Sequence, residues 1–164
     1  ISTIRKMEEF DIAWVEEPVQ KDDFAGKAKV GQNIGVPVLL DESVWTPESV
    51  MNNIRMGIGG VISIKAVRTG CGKSRKIAMM AESANIRCIT GTGRDSSLGA
   101  VVNAHIVAGF KNVLMGELTD FTVYEASLIN EDLKLQDGYL YLPDGNGLGV
   151  SINEDVLKKY RLDV

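Results

Sequence analysis

Short apolar runs recur along the chain at a nearly constant interval, and each ends in a polar residue. The runs are Ile12 to Val15, Val38 to Leu40, Val61 to Ile64, Arg87 to Thr90 and Val113 to Met115. Glu16, Asp41, Lys65 and Thr90 stand at the ends of the first four at spacings of 25, 24 and 25 residues, and Glu117 follows the fifth after one glycine. Helical patterns fill the gaps: Asp23 to Asn33, Pro47 to Met56 with Pro47 in the first turn, Lys73 to Ala84, and Ser97 to Phe110. An internal repeat of one strand and one helix predicts an α/β fold with a parallel sheet. In a closed (β/α) barrel the carboxyl ends of the strands converge on one mouth. In an open doubly wound sheet they meet only at the switch point. Four or five polar ends in register favour the barrel.

A full barrel needs eight strands and about 250 residues, and five units fill only about the first 120 positions. The sequence opens on Ile1, in a stretch to Phe10 that reads as a helix with Ile4, Met7 and Phe10 on one side. The expectation is therefore the C-terminal part of a longer chain, with about three strands upstream. After Phe121 the repeat stops. Leu133 to Leu142 reads as a hairpin around Asp137-Gly138, Pro143 to Gly147 as a loop, and Asn153 to Tyr160 as a short capped helix.

Composition narrows the chemistry. The chain has 164 residues, 45% of them hydrophobic and 24% charged, and no apolar run approaches the roughly 18 residues of a membrane span. A net charge of −4 without a basic cluster argues against nucleic acid. Cys71 and Cys88 form no CxxC pair, and the first stretch lacks the parts of a signal peptide, so a cytoplasmic location is expected. One histidine, His105, is present in the whole chain. It falls mid-helix on the face of Leu98, Val101 and Val102 and is read as a packed residue. Any metal must then be held by carboxylates.

Glu16 and Asp41 are carboxylates on consecutive strand ends, hard oxygen donors that suit Mg²⁺ or Mn²⁺. Taken singly, each acid could equally be a helix cap or a surface charge. Lys65 would enter the same mouth, where a nearby divalent cation disfavours its ammonium form and turns it towards a general base. Asp95, in Gly91-Thr92-Gly93-Arg94-Asp95-Ser96-Ser97-Leu98-Gly99, admits two readings. It is either a strand-end carboxyl group opposite the lysine or part of a glycine-rich phosphate turn, with Glu117 in the place of a ribose-binding acid. The second is weaker, because Ser96 stands where the third glycine belongs.

Five ordered segments resemble the enolase superfamily, in its mandelate racemase and muconate lactonizing enzyme branch. Trp14-Val15-Glu16-Glu17-Pro18 is similar to that family's W-[LV]-E-[QE]-P, Leu40-Asp41-Glu42-Ser43 to its A-D-E-S, and Ser63-Ile64-Lys65 to the end of its sixth strand. Arg94-Asp95-Ser96-Ser97-Leu98-Gly99 is similar to E-S-S-[IL]-G, and Leu142-Pro143 with Gly147-Leu148-Gly149-Val150 to the closing signature. The resemblance implies metal ligation by Glu16 and Asp41 and acid/base work by Lys65. It gives Asp95, or in competition Glu117, the contact to substrate. Asp95 is shorter than the usual glutamate, and Thr69-Gly70-Cys71-Gly72 replaces paired glycines after the lysine.

The fold so implied is the C-terminal part of a TIM-type (β/α)7β barrel, about five βα units plus a C-terminal hairpin and short helix. Residues 1–127 would be the partial barrel, and 128–164 a segment returning to an N-terminal capping domain. The activity implied is Mg²⁺- or Mn²⁺-dependent abstraction of a proton α to a carboxylate through an enediolate, as in muconate cycloisomerases, racemases and epimerases. Acid-sugar dehydration begins with the same step and stays open. So does a fragment that is inactive without its missing part, and, third, a dinucleotide-binding α/β domain. The expected partner is a small carboxylate substrate, with no nucleic acid or membrane and a homo-oligomer in the full-length form.

Overall fold

The computed structural model describes residues 1–162. Five strands, β1 (Val15–Glu16), β2 (Val38–Leu40), β3 (Val61–Ile64), β4 (Arg87–Thr90) and β5 (Val113–Gly116), form one sheet in the order β1-β2-β3-β4-β5. Every neighbouring pair is parallel. The helices between them are α2 (Phe24–Gly31), α3 (Pro47–Arg55), α4 (Ala66–Ser83) and α5 (Ser97–Gly109), after an opening α1 (Ser2–Met7). Strand order therefore follows chain order without a reversal. A doubly wound sheet needs that reversal, whereas a barrel winds in one direction.

Side-chain parity along the strands separates two apolar layers. Val38, Leu40, Ile62, Ile64 and Cys88 pack with Ile77, Ala78, Ala81 and Ile106 of the helices. Leu39, Val61 and Ile89 point the other way and gather with Trp14. Strands covered on both faces read as continuous apolar runs, the pattern seen in the sequence. The same parity carries Glu16, Asp41, Lys65 and Gly91 onto the side of Trp14, Leu39, Val61 and Ile89. Local chemistry fixes the helix starts. Asp23 accepts from the Gly26 amide, and Thr46 and Ser49 form a reciprocal capping box ahead of Pro47.

The first strand and the helix after β3 differ in extent from the expectation. The first run pairs only at Val15 and Glu16, because the chain leaves a 3-10 turn (Glu8–Phe10) through left-handed Asp11 and reaches β2 late. The helix expected from Lys73 begins at Ala66 and breaks at Gly70, whose φ of 68° and ψ of 162° no helix accommodates. Thr69 Oγ1, bonded to the Lys65 carbonyl and to Ser74, bridges the break.

The tail holds a two-stranded hairpin, β6 (Leu135–Gln136) and β7 (Tyr139–Leu140), shorter than the predicted 133–142. Its turn residues Asp137 and Gly138 both have positive φ, the geometry that suits a two-residue hairpin turn. Helix α6 (Glu154–Tyr160) is capped by Asn153. The tail is tied to α5 by Ser97 Oγ, which accepts from the Leu128 amide, and by His105, whose Nε2 donates to the Leu148 carbonyl at 3.1 Å. Among the described residues no helix is long and apolar enough to cross a membrane.

Candidate active site

Glu16, Asp41 and Lys65, expected to meet because their strands end at one mouth, are together. Oxygens of Glu16, Asp41 and Glu42 lie within 4.8 Å of one another. Lys65 forms an ion pair with Asp41 Oδ2, and Arg68 donates from Nη1 to Asp41 Oδ1 at 2.7 Å. Asp41 is 2% exposed. Burial works against its charge, but the bonds from Lys65 and Arg68 outweigh it and hold the carboxyl below its ordinary range. Burial, followed by the Asp41 and Glu42 carboxylates beside it, pushes the Glu16 carboxyl up. Such a group of acids favours a cation among them.

Glu17, adjacent to Glu16, does a different task. Its backbone is left-handed, with φ 36°, and its Oε1 accepts from the amides of Asp41 and Ser43 and from Ser43 Oγ. Lys27, wholly buried, meets Oε2 at 3.1 Å. The carboxylate thereby ties the end of β1 to the turn after β2 and sets where Asp41 emerges. Although burial opposes it, the bonds from Ser43, Asp41 and Lys27 lower the Glu17 pKa.

Lys65 lies between β3 and α4 with its side chain 18% exposed. A Cβ on Gly91 would come within 2.8 Å of Lys65 Cε and 2.5 Å of Ser63 Oγ, so the chain just past β4 runs close against the lysine stem. Asp95 is 4% exposed, and its Oδ2 accepts from Asn103 Nδ2 at 2.7 Å. Its Oδ1 is buried without a hydrogen bond. Burial raises the Asp95 pKa, opposed by the Gly93 backbone and by Asn103. Glu117 is exposed, and its Oε2 accepts from the Thr92 amide at 3.1 Å.

Several of these groups were not singled out from the sequence. Glu42 signalled itself only as the neighbour of Asp41. Arg68, in the first turn of α4, had no local signal, since its partner lies 27 residues away, just past β2. Asn103 did have one, as a polar residue on the buried face of an Ala- and Val-rich helix.

The arrangement can place an amine and a buried carboxyl group at one strand-end mouth, beside hard oxygen donors for a divalent cation. Comparisons with known proteins agree with that architecture. Residues 1–156 match the family described as enolase C-terminal domain-like. Muconate cycloisomerase 1 of Rhodococcus opacus is 29% identical over 159 residues, 96% of this chain and 43% of the relative. N-succinylamino acid racemase of Thermus thermophilus is 28% identical, covering 99% of this chain and 44% of the relative. The solved L-Ala-D/L-Glu epimerase of Bacillus subtilis, in a substrate-liganded complex, superposes with a TM-score of 0.85 at 30% identity, over 92% of this chain and 43% of that one. The chain thus spans less than half the length of the relatives it matches.

Proposed function

The chain belongs to the enolase C-terminal domain-like family, in the mandelate racemase and muconate lactonizing enzyme branch, and on that premise we propose that it carries the acid–base and metal-binding half of an enzyme that removes a proton α to a carboxylate. The supporting observation is the meeting of Lys65 with Asp41 beside Glu16 and Glu42. Glu16 and Asp41 would hold Mg²⁺ or Mn²⁺, with Glu42 within reach. The donor set is all hard oxygen, and the raised Glu16 pKa marks a charge crowding that a cation relieves. When bound, the cation supplies electrostatic stabilisation of the negative charge that develops on the substrate carboxylate.

The chain's own residues do the rest. Lys65 Nζ takes the α-proton on one face and can return it. Arg68 keeps Asp41 ionised while Lys65 moves its proton. Asp95 lies in the turn between the next strand and α5, where it can bond the substrate, and Glu117, held on the Thr92 amide, is the less favoured group for that contact. Cycloisomerisation, racemisation and epimerisation share the first step, as does dehydration of an acid sugar. The remaining strands and a capping domain would close the barrel, and the tail from 128 would pack back towards that domain. Support comes from the exposed Leu135, Tyr139 and Tyr141 of the hairpin.

In the intact protein, a panel of muconate, L-Ala-L-Glu and N-succinyl amino acids in D₂O tests the proposal. Lys65→Ala should abolish deuterium incorporation at Cα on one face. Undiminished exchange would overturn the assignment.

A further inference from the structure

Helix α5 buries Ser97, Ala100, Val101, Asn103, Ala104 and Ile106. Asn103 is the one amide in that set, wholly buried, in a position where an unpartnered amide is strongly disfavoured. It sits mid-helix and caps nothing. Its Nδ2 donates to Asp95 Oδ2 at 2.7 Å and to the Gly91 carbonyl at 3.4 Å, and its Oδ1 accepts from the Ala66 amide at 3.3 Å. These partners come from three places: the turn before α5, the residue after β4, and the residue after Lys65.

The surroundings leave little slack. Gly91 lies against the Lys65 stem, and a Cβ on Gly99 would come within 2.9 Å of Asp95 Cβ, so α5 presses directly on the Asp95 backbone turn. Without Asn103, nothing among the described hydrogen bonds would tie the Asp95 carboxyl group to the strand that bears Lys65. We propose that Asn103 is a positioning residue that holds the Asp95 carboxyl group in fixed relation to the backbone of Lys65 across β3 and β4. The inference rests on the roles proposed for Lys65 and Asp95 and adds the part that sets their separation. Its amide also favours the ionised form of a carboxyl group that burial disfavours.

The test has two arms in the intact protein. The first follows Asp95 by ¹³C NMR of its carboxyl carbon, with Asp95→Asn to assign the signal. Asn103→Leu keeps the branched shape but loses the amide, and the Asp95 midpoint should rise by about one pH unit or more. Asn103→Ser, which retains a small donor, should show a smaller rise. An unchanged midpoint in a folded Asn103→Leu overturns the proposal. If that variant does not fold, an unchanged midpoint in Asn103→Ser does so.

The second arm measures deuterium exchange on the panel substrate that exchanges fastest. Asn103→Leu should slow exchange about tenfold or more, as expected for a misplaced catalytic group, and should add no further loss in an Asp95→Ala background. Equal losses in both backgrounds would show a merely structural role and overturn the proposal. Undiminished exchange in Asp95→Ala alone would instead count against the role of Asp95, on which the NMR arm does not depend.

Discussion

Arg68 donates from Nη1 to Oδ1 of Asp41 at 2.7 Å, with the two side chains 9% and 3% exposed. The guanidinium also lies over the Trp45 ring, 5.1 Å from its centroid. A pair this dry is costly to break, because Asp41 Oδ1 would be left without water or donor and the buried charge with Lys65 as its one ion-pair partner. Arg68→Met should therefore destabilise the fold by about 3 kcal/mol, read as a lower urea midpoint with unchanged slope. A midpoint equal to that of the parent protein would show that Lys65 alone suffices for Asp41.

Glu17 makes stability depend on pH in a defined direction. Its pKa lies below the ordinary 4.5, so its contribution is fully present above 4.5 and is lost as the pH falls through the folded value. Urea midpoints measured from pH 6 down to 3 should fall less steeply for Glu17→Gln. At pH 6 that variant should itself be weaker by about 3 kcal/mol, since buried Lys27 would lose its counter-charge. Parallel curves would remove Glu17 from the account.

Removing one carboxylate should weaken metal binding without unfolding the chain. Mn²⁺ titrated into the intact protein and followed by paramagnetic resonance should bind at least about tenfold more weakly to Glu16→Gln, the usual order for losing one charged oxygen ligand. The thermal midpoint in the absence of metal should be equal or higher, because the Glu16 carboxyl is crowded by Asp41 and Glu42. Equal affinity would place the cation elsewhere.

Gly91→Ala puts a methyl group where Ser63 Oγ and Lys65 Cε already stand. The flexible lysine stem will yield first, so exchange activity should fall about tenfold or more while stability falls by only about 1–2 kcal/mol. The ratio of the two effects is the measurement. A variant that loses stability but keeps its exchange rate would mean that Lys65 tolerates displacement.

The cysteines should differ sharply towards a thiol reagent. Burial pushes the Cys88 thiol up to about 12, while Cys71 is exposed beside the break in α4. At pH 8 an aromatic disulfide reagent should modify Cys71 in the native protein and Cys88 only after unfolding in urea, each assigned by mass spectrometry of its peptide. Fast modification of Cys88 in the native state would mean that its packing opens readily.

The sheet was legible because each strand is a short apolar run closed by a polar residue, and the interval between runs fixes the helix that fits. That pattern placed Glu16, Asp41 and Lys65 at one mouth. It could not reach Arg68 or Lys27, whose partners are distant in sequence and whose charges look like ordinary surface groups until the chain folds over them. The early start of α4 was hidden for another reason. Ala66 to Thr69 is a single turn without periodicity, followed by Gly70-Cys71-Gly72, which reads as loop. The shortness of β1 likewise follows from left-handed Asp11, which apolar patterning does not register.

His105 bears on how the tail is held. Its Nε2 donates to the Leu148 carbonyl, a bond that joins the middle of α5 to the loop before α6. The chain's sole imidazole is thus a fastener, set on the face of α5 that turns to the tail, and its removal would loosen the loop and leave the groups at the strand ends untouched.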